Sequence, residues 1–206
     1  MAALVKAAPG SARLHQVTAE LLESEGDFPK AVDQYRRALT IDPNLAGAHR
    51  ALGVALMSSS TDEASRDEAR KQFELELALN PNDGVSEYQL GEILWLGNKP
   101  DDALKHFSRA VELSPGFTNA LIAAGKAWTA QDLPERAVTF LRKAVAIEPE
   151  NEVAHYRLAQ AYLKMGQKQQ ADEELAQFRK LRAALESLRS IYRQVQENRI
   201  TAQTVE

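Results

Sequence analysis

AVDQYRRALTIDPN, residues Ala31 to Asn44, sets Ala31, Tyr35, Ala38 and Pro43 at successive offsets of four, three and five. The same spacing returns as Ala103, Phe107, Ala110 and Pro115, and again as Ala137, Leu141, Ala144 and Pro149. Small residues seven apart with a large one between them lie on one face of a helix, where a second helix can approach closely. The proline ends that helix, because it lacks an amide hydrogen and pushes the residue before it out of helical geometry. Pro9, Pro43, Pro81, Pro115 and Pro149 are separated by 34, 38, 34 and 34 residues, a period of 34 with one four-residue insertion.

Upstream of each proline a second pattern recurs. Thr18-Ala19, Leu52-Gly53, Leu90-Gly91, Ala124-Gly125 and Leu158-Ala159 are each followed three positions later by a large residue: Leu22, Leu56, Leu94, Trp128 or Tyr162. Leu90, Ile93, Leu94 and Gly97 form one helical stripe, so each unit reads as two helices. Pro29, Pro100 and Pro134 stand where a second helix would begin, and Gly26 and Gly166 can supply the turn before it. A single hairpin cannot cover its own apolar faces, so the units must stack. No strand pattern competes.

These residues resemble the tetratricopeptide repeat, a 34-residue helix-turn-helix unit. The resemblance covers residues 12–182 as five repeats, 12–45, 46–83, 84–117, 118–151 and 152–182, and implies an all-α, right-handed superhelical solenoid. Residues 1–11 read as the remnant of a preceding repeat, with Leu4 and Val5 left from its second helix, as in an excised piece of a longer bacterial-type repeat protein. Residues 183–206 read as a C-terminal helix extension, helical to about Asn198 and frayed in the tail ITAQTVE.

Composition bounds the functional classes. A hydrophobic content of 44% supports a sizeable core, and a net charge of -4 leaves no basic excess for nucleic acid. The absence of cysteine excludes disulfides, zinc-thiolate sites and a thiol nucleophile. MAALVKAAPG does not read as a secretion signal, and ALIAAGKAW is too short to span a bilayer; compartment is left open. No nucleophile elbow, phosphate-binding loop, metalloprotease motif or dinucleotide fingerprint occurs, so no catalytic residue, metal or cofactor is expected.

His15, His49 and His155 take the fourth position of their repeats, where the resemblance implies a bulky packing residue; His106 reads as solvated. Asp101-Asp102 and Glu173-Glu174 read as second-helix starts that favour the helix dipole. The inserted stretch MSSSTDEASRDEA reads as an exposed loop at a hairpin tip.

The resemblance implies a peptide or protein partner held in a concave groove lined by first-helix positions two, five, nine and twelve. In this chain the candidates are Arg50, Met57, Tyr88, Glu92, Trp95, Ile122, Lys126, Tyr156 and Gln160. Trp128 falls on the core side of its helix, whereas Trp95 falls on the side that the core does not need. The chaperone-binding subclass carries lysine and asparagine at positions five and nine of the first repeat, but here Gln16 and Glu20 stand there. The glycosyltransferase subclass carries an asparagine ladder at position six, but here the residues are Val17, Ala51, Gln89, Ala123 and Arg157. The function expected is a non-catalytic protein-interaction scaffold, with a structural spacer of a larger enzyme or assembly as the alternative. Beyond the repeats, Phe178, Leu181, Leu185, Leu188, Tyr192 and Val195 recur at three and four, a heptad seam on a locally basic helix. Leu185, Leu188, Tyr192 and Val195 are candidates for self-association as a homodimer.

Overall fold

In the computed structural model, which describes residues 10–203, every regular element is an α-helix. The ten described helices form five hairpins in chain order. The first three are α1 (Ala12–Ser24) with α2 (Phe28–Ile41), α3 (Ala48–Ser59) with α4 (Glu63–Leu79), and α5 (Gly84–Leu96) with α6 (Pro100–Leu113). The last two are α7 (Thr118–Ala130) with α8 (Pro134–Ile147), and α9 (Glu152–Lys164) with α10 (Lys168–Gln203). The chain divides at Pro115 and Gly116 into two compact units, one holding α1 to α6 and the other α7 to α10. The expected remnant before Ala12, with Leu4, Val5 and Pro9, lies outside the described residues.

The residues that set the period make the hairpins close. Tyr35, Phe73, Phe107 and Leu141 are fully buried, each on the second helix of its pair. Opposite them stand small residues, and three are glycines with no room for more. A Cβ on Gly53 would lie 2.6 Å from the Phe73 ring, on Gly91 2.5 Å from Phe107, and on Gly125 2.4 Å from Leu141. Each second helix stops two residues before its proline, at Ile41, Leu79, Leu113 and Ile147.

Four hairpins turn through the same cap. In the third, Asn98 adopts a left-handed φ of 56°, its amide donates to Trp95 O, and the Lys99 amide donates to Leu94 O. Gly26, Asp132 and Gly166 repeat this with φ of 79°, 59° and 72°. The second hairpin departs from it. The inserted residues do not form a loop: only residues 60–62 link the helices, and α4 begins at Glu63, giving it 17 residues against the 14 of α2, α6 and α8. Asp62 caps the added turn by accepting from the Ser65 amide at 2.7 Å, and the sequence after it is rich in good helix formers.

A polar pair recurs in the same place on four hairpins. His15 Nδ1 lies 2.7 Å from Gln34 Oε1, His49 Nδ1 2.7 Å from Gln72 Oε1, and His155 Nδ1 2.5 Å from Glu174 Oε2. In the third hairpin the partners are exchanged, and His106 Nδ1 on the second helix meets Glu87 Oε2 on the first at 2.7 Å. His106 is therefore a paired residue and not a solvated one. Glu174 lies in the second turn of α10 and binds an imidazole, so the helix-start reading of Glu173-Glu174 is likewise corrected. The buried imidazoles also reach the preceding repeat: His49 Nε2 donates to Pro43 O at 2.9 Å and His155 Nε2 to Pro149 O at 3.0 Å. The equivalent positions of the fourth hairpin, Leu121 and Phe140, are apolar.

Two outcomes check this packing. Gly91→Ala drives a methyl into the Phe107 ring and lowers stability by about 1–3 kcal/mol in urea titration; an unchanged midpoint would show that α5 and α6 are looser than described. His155→Leu strands the Glu174 carboxylate and costs about 1–3 kcal/mol. Adding Glu174→Phe, which reproduces the pair of the fourth hairpin, recovers most of that loss, and a double variant no better than the single one contradicts the pairing.

Candidate functional site

The candidate residues of the first unit lie on α3 and α5. Met57 packs partly against the apolar cluster around Leu52, Leu56 and Phe73, so only part of it is surface. Arg50 is held: its Nη1 donates to Asp83 Oδ1 at 3.1 Å, and Asp83 is buried and also accepts from Ser86 Oγ at 2.7 Å. Its backbone amide donates to buried Glu76 at 3.3 Å. Gly47, at the head of α3 with a left-handed φ of 72°, has no side chain to cap that helix, and Glu76 supplies the carboxylate from α4 instead. Arg50 thus ties the second hairpin to the third while its guanidinium edge stays accessible.

Tyr88, Glu92 and Trp95 stand at offsets of four and three along one face of α5, and all three are half-buried. The Tyr88 ring tilts against Phe107 with centroids 6.0 Å apart, so the tyrosine leans on the core. Burial, with the Glu92 carboxylate adding to it, pushes the Tyr88 phenol up to about 12. The added turn of α4 leaves an open cleft against the end of α5, where Glu63, Arg66, Asp67, Arg70 and Lys99 surround Leu94 and Leu96. The sequence reading missed this cleft because it took the insertion for a loop.

In the second unit the candidates diverge. Ile122 is buried, since almost all of α7 from Ala120 to Gly125 is covered, and so it is core and not open lining. Lys126 is half-buried. Tyr156 is 37% exposed, tilts against Phe178 of α10 with ring centroids 5.2 Å apart, and accepts a hydrogen bond from Gln160 Nε2 at 3.1 Å. Arg157, which sequence position did not single out, lies over the Tyr156 ring at 5.7 Å and donates to Gln160 Oε1 at 2.9 Å. Trp128 packs on the cluster of Ala137, Leu141, Leu158 and Ala161, beneath the Arg136 guanidinium at 4.7 Å. Among the described residues no group of three His, Asp or Glu side chains gathers as a metal would require. Among the described residues no helix is long and apolar enough to cross a membrane.

Three family models match the chain and between them reach from residue 21 to residue 189: a TPR repeat over 21–59, a tetratricopeptide repeat over 62–116 and 88–152, and another over 129–189. The chain belongs to the tetratricopeptide repeat (TPR) family. It is 36% identical over 115 residues to the cytochrome c-type biogenesis protein CycH of Rhizobium meliloti, covering 51% of this chain and 28% of CycH. It is 33% identical over 96 residues to anaphase-promoting complex subunit 3 of Schizosaccharomyces pombe, covering 47% of this chain and 14% of that subunit. The TPR chain thus spans less than a third of the length of either relative. Among solved structures, MamA from Desulfovibrio magneticus RS-1 superposes with a TM-score of 0.71 at 20% identity, covering 84% of this chain and 96% of that one. YrrB, a TPR protein with an unusual peptide-binding site, superposes with a TM-score of 0.69 at 23% identity, covering 91% and 97%. These structures share the fold.

A folded-state pKa of about 12 against an ordinary value near 10 means that the fold favours the neutral Tyr88 phenol. Its share of stability is complete below about pH 10 and is lost as pH rises through about 12. The difference in tyrosinate absorbance between the native chain and Tyr88→Phe should therefore titrate near 12, and a midpoint near 10 would show a solvated ring.

Proposed function

We propose that this TPR chain is a non-catalytic protein-interaction module whose first helices receive an extended polypeptide segment. In the first unit the receiving face is that of α5, with Arg50 and Met57 of α3 beside it; in the second it is the outer face of α9, with Tyr156 and Gln160. The observation that carries this reading is Trp95. The core contacts of α5 are already supplied by Leu90 and Ile93, both buried, yet a half-buried indole stands on the face of Tyr88 and Glu92. Aromatic anchors next to an arginine and a carboxylate suit a peptide, whose backbone needs both donors and acceptors and whose side chains need an apolar floor. The peptide-binding site named for YrrB supports the reading by likeness of fold.

Peptides selected from a random displayed library against the intact chain provide the ligand for the test. Trp95→Ala weakens their binding at least tenfold, which corresponds to about 1.4 kcal/mol, while the melting temperature moves by only a few degrees. If the substitution instead costs about 3–5 kcal/mol of stability, as truncation of a buried tryptophan does, Trp95 is core and the site is wrong. If no peptide is enriched, the spacer reading takes its place.

A further inference from the structure

The heptad seam of α10 is covered at its start and exposed from Leu185 to Val195. The first turns of the helix pack on α9, with Ala171 fully buried and Phe178 against Tyr156. Those two aromatics straddle the turn at residues 165–167, so α9 runs out where α10 reaches about Arg182. From there to Val195 every side chain is exposed, including Leu185 at 40%, Leu188 at 63%, Ile191 at 55%, Tyr192 at 65% and Val195 at 48%. The helix continues beyond the expected end at Asn198 to Gln203, and its exposed stretch from Arg182 to Val195 is about 20 Å long at 1.5 Å per residue.

The charges beside the seam choose the partner. With Phe178, Leu185 and Tyr192 at a and Leu181, Leu188 and Val195 at d, the e positions are Arg182 and Arg189 and the g positions are Ala184 and Ile191. In an antiparallel pair of this helix with its own copy, e faces e, and arginine meets arginine. In a parallel pair, each g faces the e five positions on, and Gln177 or Ala184 meets arginine. Neither arrangement of two copies supplies an acid to these bases, so the homodimer expected from spacing alone gains no pairing from its flanks. Arg182 already donates to Glu186 at 3.3 Å, but among the described residues Arg189 at e and Arg193, four residues on at the neighbouring b position of the same flank, have no ion-pair partner.

We propose that the exposed part of α10 docks an acidic amphipathic helix of another protein, which lays leucine-like residues along Leu185, Leu188, Tyr192 and Val195 and sets carboxylates beside Arg189 and Arg193. This is helix pairing by a narrow seam with flanking charges, the arrangement that fixes partner choice in coiled coils. It does not depend on the peptide-binding reading of α5.

The probes are two synthetic 21-residue helices with leucine at a and d, one carrying glutamate and the other lysine at the flanking positions. The intact chain binds the acidic peptide at least tenfold more tightly than the basic one, and binding weakens as salt is raised. Arg189→Glu with Arg193→Glu reverses the preference, and Leu188→Asp abolishes binding without lowering the melting temperature, because that residue is exposed. Trp95→Ala leaves this binding unchanged, so its failure and that of the α5 site are told apart. The proposal is overturned by equal affinity for the two peptides or by no binding at all. It is also overturned if sedimentation at micromolar concentration shows a dimer that Leu188→Asp dissolves, or if the chain binds phosphatidylserine vesicles through α10 but neither peptide.

Discussion

Three of the five hairpins of this chain depend on the absence of a side chain. At Gly53, Gly91 and Gly125 the first helix approaches the second so closely that a methyl group would overlap Phe73, Phe107 or Leu141. Interiors are packed to crystal-like density, so a large ring on one helix is accommodated only if its opposite number gives up its volume. That exchange fixes the rotation of the two helices about their axes. Once the rotation is set, the face that each first helix presents is set with it, and on α5 that face lets Tyr88 lean on Phe107. The candidate residues Arg50, Tyr88 and Trp95, on the helices of Gly53 and Gly91, owe their placement to it.

The ties between hairpins are of a different kind. Within a hairpin the close contact is apolar with one polar pair beside it; where hairpins meet, directional polar bonds are added to the shared apolar cluster. Arg50 reaches Asp83 across the second and third hairpins, and the buried imidazoles of His49 and His155 donate to the carbonyls of Pro43 and Pro149. A proline at the end of a repeat serves twice in this scheme. Its ring stops the helix, and its carbonyl, released from helical bonding, becomes the acceptor that registers the next repeat.

Much of this was legible in the chain. Subtraction of proline positions gives the period, and the small-large-small spacing around Tyr35 and Phe107 gives both helices of the hairpin, because those residues answer to local geometry. The path of the insertion was misread, since SSST is loop-like in composition while Asp62 and the helix-forming residues after it start α4 early. The histidine pairs left a signal that was not taken up: His15 and Gln34, Glu87 and His106, and His155 and Glu174 are each 19 residues apart, and His49 and Gln72 differ only by the insertion. Ile122 shows where repeat position runs out as a guide. It shares the register of Tyr88 and Tyr156, but exposure depends on how much of α7 its neighbours cover, and no count along the sequence contains that.

The exchanged order of Glu87 and His106 bears on how such repeats diverge. Changing one partner at a time from histidine and glutamate to glutamate and histidine sets two carboxylates or two imidazoles face to face at the halfway point, and either juxtaposition is costly where water is scarce. Glutamine removes that obstacle. Its amide offers a donor and an acceptor, so it satisfies whichever ring nitrogen it meets, and Gln34 and Gln72 occupy that neutral role in the first two hairpins. The five hairpins of one chain therefore hold four forms of one contact side by side: with glutamine, with glutamate, with the order reversed, and wholly apolar.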